Sequence, residues 1–345
     1  MKQKGNIFLR FGKGFWNMKE RGIIIPTVAY AILVQLVNPI FFTLNNINNL
    51  LRQTGFVFIS GIGMTLVLIA GGIDLSVGSV LALGCVVVGI FMVQMGIPVW
   101  VAILMALIIG AIIGIVNGLI IVKFKTPPMI MTLGMMFMAR GLVYISTKGL
   151  PIYPMPKNFQ AIEQSNPLGI PTIVWLCIFL CIVFHIVLTK TSFGRATYAI
   201  GGNVEAAKLS GISISGITLA AYMISGVMAS LTGIMMGSRL GSAQPSVGTG
   251  QEMIVIAACI VGGTSTFGGR GTILGTAIGA FFMNMLTNSM TLMHIDIYYQ
   301  NLVVGAVLII AVILDQYARG SALRGARLPK KQGRSGQADL KAVQE

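Results

Sequence analysis

A glycine-rich segment at residues 263–270 has the spacing of a phosphate-binding loop without its residues. Four residues separate Gly263 from Gly268, as in the loop that cradles nucleotide phosphates, but that loop continues with Lys and then Ser or Thr. Here Gly269 and Arg270 follow. The segment is therefore not predicted to bind ATP, and no other segment supplies such a loop. If ATP drives this protein, the nucleotide binds to another polypeptide.

The remaining reactive side chains form no recognisable catalytic or metal-binding pattern. All four cysteines lie within apolar stretches, and the i, i+4 spacing of Cys177 and Cys181 favours helix packing over metal binding. His185 and His294 have no neighbouring ligands in the sequence. We find no nucleophile paired with a base. The sequence predicts no enzyme, no cofactor and no metal site.

The composition indicates a protein that is embedded in a membrane. Hydrophobic residues make up 55% of the chain and charged residues 10%, and the mean hydropathy is +0.86, whereas soluble domains carry about 25% charged residues. The apolar runs approach the roughly 20 residues of a membrane-spanning helix and do not alternate like the strands of a membrane barrel. We predict an all-α integral membrane protein with about ten transmembrane helices and glycine-broken segments. The predicted spans lie near residues 22–40, 54–71, 77–96, 98–122, 128–147, 170–189, 216–237, 250–262, 271–290 and 299–317.

The ten predicted spans are not equivalent. The eighth is short, and the second and eighth are interrupted by glycine. These two are the candidates for incomplete crossings of the bilayer. An even number of spans places both termini on one side.

Basic residues indicate which side that is. If the N-terminus is cytoplasmic, nineteen Lys and Arg residues fall on the inner side and five on the outer side, as expected for cytoplasmic loops. The net charge of +15 is then explained by topology and by anionic lipid, and not by nucleic acid. We predict a basic cytoplasmic segment at residues 1–21, which is either a short interfacial helix or a loose tail. A transmembrane domain at 22–318 and a polar cytoplasmic tail at 319–345 follow.

Small residues at four-residue spacing predict close helix pairs. One stripe runs along the fourth span and another along the ninth, and such stripes allow helix backbones to approach closely in lipid. We predict packing and not substrate contact for both. The two stripes consist of Ala102, Ala106, Gly110, Gly114 and Gly118, and of Gly271, Gly275 and Gly279.

Two glycine-rich loops, at residues 70–79 and 261–272, interrupt apolar stretches. Irregular backbone at membrane depth is tolerated only where protein or a watery cavity satisfies its polar groups. Both loops are therefore expected near a pathway or inside the bundle. Within the first loop, Asp74 and Ser76 either cap or pack the following helix, or act as a gate. Four other polar residues in spans either line a pathway or hydrogen-bond between helices: Asn117, Glu252, Asn284 and Asn288.

The polar segment at residues 190–215 is predicted to be a cytoplasmic docking loop. Asn203 stands where a helix cap belongs, Glu205 falls in the first turn and complements the helix dipole, and Gly211 ends the helix. The alternative is an interfacial helix that only turns the chain. The residues predicted to couple to a partner are Gly202, Asn203, Glu205, Ala206, Ala207, Ser210 and Gly211.

The same segment carries a family resemblance. Glu205-Ala-Ala with Gly211 after three intervening residues resembles the Glu-Ala-Ala-x-x-x-Gly loop of ATP-binding-cassette (ABC) importer permeases. From about residue 55 to 315 the chain resembles monosaccharide permeases of the ribose, xylose and galactose type, within the branched-chain amino acid and sugar permease family. The segments that carry this resemblance are residues 69–79, 117–118, 132–134, 193–211 and 257–279.

The resemblance implies a transport subunit of a bacterial inner membrane importer with cytoplasmic termini. Its implied partners are a second permease subunit, a cytoplasmic ATPase with two nucleotide domains, an extracytoplasmic sugar-binding protein that docks on residues 147–170, and membrane lipid. Its implied cargo is a ribose-like monosaccharide. Alternatives are a nucleoside or branched-chain amino acid ABC permease, an ion-coupled secondary sugar transporter, and a membrane scaffold.

Overall fold

The computed structural model describes residues 21–326, which are almost entirely helical. The predicted N-terminal segment lies outside this range except for Arg21, and the predicted tail lies outside it beyond Ala326. The helices in the described range are α1 (Arg21–Val37), α2 (Leu44–Ile69), α3 (Val77–Gly89), α4 (Val99–Phe124), α5 (Pro128–Thr147), α6 (Lys157–Gln164), α7 (Thr172–Lys190), α8 (Ser192–Gly202), α9 (Val204–Leu209), α10 (Ile214–Leu240), α11 (Gln251–Val261), α12 (Ile273–Leu292) and α13 (Ile297–Ala326).

These helices confirm the predicted fold class. Among the described residues, seven helical stretches are long and apolar enough to cross a membrane. They belong to α2, α3 with its π-helical extension, α4, α5, α7, α10 and α13. The 20-residue α12 and the shorter apolar α1 and α11 occupy the other three predicted positions.

The two glycine-interrupted spans differ from each other. The second is continuous, because α2 runs through 26 residues without a break. The eighth is α11, whose 11 residues rise only about 16 Å, well short of the roughly 30 Å hydrocarbon core. The glycine-rich loops therefore lie beyond the ends of α2 and α11 and not within them.

The small-residue stripe of α4 packs backbone to backbone against α10. A Cβ atom at Gly110 would meet the carbonyl of Gly226, one at Gly114 would overlap the carbonyl oxygen of Tyr222, and one at Gly118 would meet the Cα of Leu219. The predicted close helix pair is confirmed. This contact gives α10 a fixed position at the centre of the bundle.

The second stripe joins α12 to α11 in the same way. Cβ atoms at Gly275 and Gly279 would overlap the carbonyl oxygens of Gly262 and Ala258. Two polar side chains strengthen the region, since Thr65 of α2 and Thr276 of α12 share a hydrogen bond of 2.5 Å between their hydroxyl oxygens. The short α11 is thus held along its length by a full-length neighbour.

The long α10 also separates two ends of the bundle. Its 27 residues extend about 40 Å. Near its start lie α8 and α9, and near its end Ser238 accepts a hydrogen bond from the backbone of Glu163 in α6. We refer to these as the α9 end and the α6 end.

We predict that Gly114→Ala destabilises the protein by about 1–3 kcal/mol, because the added methyl group forces α4 away from α10. Thermal melting of the detergent-solubilised protein measures the change. Gly141→Ala in α5 is the matched control, because no atom lies within 4 Å of its Cβ position. It should be neutral or stabilising, since Ala is the better helix former. Equal melting temperatures for the two variants would contradict the close backbone contact.

Candidate functional site

The polar segment at residues 190–215, which we call the docking segment, forms the two short helices α8 and α9, and the sequence predicted only α9. The side chain of Asn203 accepts a hydrogen bond of 3.0 Å from the backbone N–H of Ala206, so Asn203 caps α9. Beyond α9, Gly211 has φ of +77°, and the N–H groups of Gly211 and Ile212 bond back to Lys208 and Ala207. This is the glycine-ended helix terminus that αL geometry permits. The predicted cap, helix and stop residue are all confirmed.

Helix α9 exposes most of its surface. Ala207 is buried and anchors the helix to the bundle, whereas Leu209 is 89% exposed and Val204 is 48% exposed. Glu205 and Ala206 are also exposed. A capped helix that presents an aliphatic side chain and a carboxylate to solvent is suited to lie in a partner's groove.

Four glycines from three parts of the chain, one of them in the docking segment, meet at the end of α8. We call Gly71, Gly201, Gly268 and Gly269 the glycine joint. A Cβ atom at Gly201 would overlap the carbonyl oxygen of Ile69 at the end of α2, and one at Gly268 would lie 2.9 Å from the Cα of Gly201 and 3.1 Å from that of Gly71. The N–H of Gly269 donates to the Ile69 carbonyl at 2.9 Å. The joint therefore brings α8, the end of α2 and both glycine-rich loops into close backbone contact.

Tyr198 adds a polar link at the same place. Its hydroxyl donates to the carbonyl oxygen of Gly271 at 2.7 Å and so ties α8 to the second glycine-rich loop. That loop is also held from its other side, because the Asp315 carboxylate accepts hydrogen bonds from Ser265 and from the N–H and hydroxyl of Thr266. Sequence reasoning did not assign a role to Tyr198 or Asp315.

The first glycine-rich loop centres on Asp74. Its carboxylate accepts from the N–H and hydroxyl of Ser76 at 3.0 and 2.6 Å, and from the hydroxyl of Ser225 in α10 at 2.7 Å. The Ser76 hydroxyl in turn accepts from Asn117 of α4 at 3.1 Å. Thr132 of α5 bonds the loop at the carbonyl of Ile73 and the N–H of Leu75.

This network places three candidate residues together at depth. Asp74, Ser76 and Asn117 are each no more than 1% exposed, and Ser225 lies about three turns into α10. Ser76 does not cap α3 with its side chain. Besides the bonds between Asp74 and Ser76 within the loop, hydrogen bonds from Asn117, Thr132 and Ser225 join the loop to α4, α5 and α10, respectively.

The other polar candidates lie elsewhere. Asn288 exchanges two hydrogen bonds, of 2.9 and 3.0 Å, with Asn46 of α2, which is interhelical bonding. Glu252 lies in the first turn of α11, with its carboxylate against Gly78. Asn284 lines a cavity at the α6 end. The structure thus brings Asp74, Ser76 and Asn117 together, places Glu252 beside the same loop at Gly78 without a hydrogen bond to these three, and keeps Asn284 and Asn288 away from the loop.

At the α6 end, an ion pair fixes the segment predicted to receive a binding protein. Arg52 of α2 pairs with the fully buried Glu163 of α6 and also donates to the Glu163 carbonyl at 2.8 Å. Burial raises the pKa of the Glu163 carboxyl, and Arg52 partly offsets that rise. Ile152 and Ala243 exchange backbone hydrogen bonds of 2.9 and 3.0 Å. The segment is therefore anchored to both α2 and the loop after α10.

Comparisons with known proteins agree with this architecture. The family described as branched-chain amino acid transport system, permease component, matches residues 46–312. Ribose import permease protein RbsC of Escherichia coli K12 is 42% identical over 87% of this chain and 94% of its own length. RbsC of Bacillus subtilis strain 168 is 42% identical over 87% and 93%, respectively.

A relative named for a different sugar is somewhat less similar. The L-arabinose transport system permease protein AraH of Escherichia coli K12 is 36% identical over 89% of this chain and 92% of its own length. No solved structure matches the chain. The family match and the long, well-covered relatives place the apolar helices in the bacterial inner membrane, where permeases of this family work with an ATPase and a substrate-binding partner. The chain therefore belongs to the ABC monosaccharide permeases, within the branched-chain amino acid transport system permease family.

Proposed function

We propose that this chain is the membrane-spanning subunit of an ABC importer that carries a ribose-like monosaccharide into the cytoplasm. Two permease subunits, a cytoplasmic ATPase with two nucleotide domains and an extracytoplasmic sugar-binding protein complete the importer. The α9 end faces the cytoplasm and both chain termini lie on that side. ATP hydrolysis takes place on the partner chain. The ribose import permeases at 42% identity support the choice of sugar.

The exposed, capped α9 is the observation that carries the proposal. Leu209 and Glu205 lie on its exposed surface, and an N-cap and a glycine stop define its two ends. A helix transmits a displacement that is applied to it, whereas a flexible loop would deform. The ATPase binds here, and α8 behind it carries the motion.

The glycine joint is the route by which that motion reaches the pathway. When nucleotide binding closes the ATPase, α8 moves, and Gly201 presses on the end of α2 while Tyr198 pulls on Gly271. Both glycine-rich loops shift together, because backbone atoms and not flexible side chains form the contact. The bundle then changes from an outward-open to an inward-open conformation.

In this scheme the hydrogen-bonded network around Asp74, which we call the polar clasp, limits how far the first glycine-rich loop moves. The carboxylate joins the loop to α10 through Ser225, and through Ser76 and Asn117 to α4. We assign Asp74, Ser76 and Asn117 to this restraint. They hold the loop in register with α10 during the cycle.

We expect ATP-dependent uptake of ribose by proteoliposomes that contain this chain, its ATPase and a sugar-loaded binding protein. A panel of radiolabelled ribose, arabinose, xylose, nucleosides and branched-chain amino acids identifies the cargo. Omitting ATP or the binding protein should stop uptake. Uptake that persists without ATP and collapses with an ion gradient would make the protein a secondary porter and contradict the proposal.

We predict that Leu209→Asn and Glu205→Arg prevent the ATPase from co-purifying with this chain, because both side chains meet the ATPase groove. Leu168→Asn is the matched control, since Leu168 is also 89% exposed but lies at the α6 end. It should leave ATPase binding unchanged and weaken docking of the binding protein. Normal ATPase binding by Leu209→Asn would rule out α9 as the docking element.

We also predict that Ser225→Ala destabilises the protein more than Ser230→Ala on the same helix. Ser225 donates to a carboxylate, and such bonds contribute about 1.5–3 kcal/mol, whereas Ser230 donates to the neutral carbonyl of Ala106 and should contribute about 0.5–1.5 kcal/mol. Both hydroxyls are fully buried. Thermal melting in detergent measures the difference, and a smaller effect at Ser225 would show that Asp74 does not bear charge in the clasp.

A further inference from the structure

A cavity of about 420 Å³ lies at the α6 end between α2, α10, α11, α12 and α13. Its volume falls within the roughly 300–1,000 Å³ of small-molecule sites. Five carboxamide side chains line it, which is unusual for a wall within an apolar bundle. They are Gln53, Gln251, Asn284, Gln300 and Asn301.

Several of these carboxamides have hydrogen-bonding capacity to spare. Within the described part of the chain, the side chains of Gln53, Gln251 and Asn301 make no hydrogen bond. Asn284 donates to the Ala280 carbonyl at 2.8 Å, and its amide oxygen accepts nothing from the described residues. Asn284 is buried, Gln53 and Gln251 are half-buried and Asn301 is exposed at the rim, so a polar ligand can replace the water that these groups would otherwise bind.

The rest of the lining is mainly apolar, with one cation and the two threonines Thr249 and Thr287. Phe56, Val57, Ile254 and Val304 form an apolar side, and the guanidinium of Arg239 lies 5.7 Å from the centre of the Phe56 ring. None of the described residues that line the cavity is a carboxylate, which does not suit a metal cation. A ligand that fits has hydroxyl groups on its edge and C–H groups on its face, as a monosaccharide has.

We propose that this cavity is the first binding subsite in the permease for the sugar, and that Gln251 and Asn284 hydrogen-bond its hydroxyl groups. The inference rests on the proposed function. The cavity adjoins the α6 end, where the binding protein docks, so released sugar reaches it before the clasp around Asp74. Binding of the sugar at this subsite couples ATP hydrolysis to sugar transport, so that ATP is not hydrolysed without transport.

The ratio of sugar imported to ATP hydrolysed in proteoliposomes tests this proposal. We expect Gln251→Leu and Asn284→Leu each to lower the ratio about tenfold, which corresponds to one lost hydrogen bond. Hydrolysis stimulated by the binding protein should persist. A folding defect would lower hydrolysis and import together and leave the ratio unchanged. Gln94→Leu, an exposed carboxamide outside the cavity, is the control and should match the wild-type protein.

Cysteine labelling supplies a second readout. Asn301→Cys at the exposed rim of the cavity should react with a methanethiosulfonate reagent, and addition of sugar-loaded binding protein should slow the reaction several-fold. Labelling of the native cysteines is subtracted using the wild-type chain. Unchanged ratios for both leucine variants, together with unprotected Asn301→Cys, would overturn the subsite alone. A wild-type protein that imports no sugar of the panel would overturn the proposed function and this inference with it.

Discussion

A helix end that packs against other parts of a membrane protein leaves backbone N–H and C=O groups that need partners, and the rest of this structure depends on how those groups are satisfied. At the break after α2, the free carbonyl of Ile69 accepts from Gly269, and the irregular loop that follows is bonded by Thr132, Ser76 and the Asp74 carboxylate. At the break after α11, Asp315 and Tyr198 perform the same task. Both breaks are thus closed by protein groups from distant parts of the chain.

The need to satisfy these backbone groups also explains why the loops that follow α2 and α11 meet at the glycine joint. Backbone groups satisfy one another only when no side chain separates them, and the glycine joint provides that approach between Gly201, Gly268 and Ile69. Because the contact is made by backbone, it has little freedom to adjust. The docking segment, the end of α2 and the second glycine-rich loop consequently behave as one mechanical unit under our proposal.

The two ends of the bundle are built for different tasks. The α9 end presents a small capped helix with backbone contacts behind it, and under our proposal this helix receives the force from the ATPase. The α6 end anchors an irregular segment through the Arg52–Glu163 ion pair and opens onto a cavity rich in carboxamides. Helix α10, seated against α4 by glycine contacts, connects the ends over a distance that one continuous helix spans.

The sequence by itself determined the helical membrane class, the approximate span positions and the glycine stripes, because burial in lipid imposes hydrophobic length and close packing imposes small residues at local spacing. It also determined the caps of α9, since Asn203 and Gly211 act on backbone groups three to five residues away. Only the tertiary structure decided which polar residues meet. Asp74 and Ser225 are separated by 151 positions, and Asn288 pairs with Asn46 across 242. Pairing at such distances follows from how helices pack in three dimensions, and a single sequence carries no periodic signal for it.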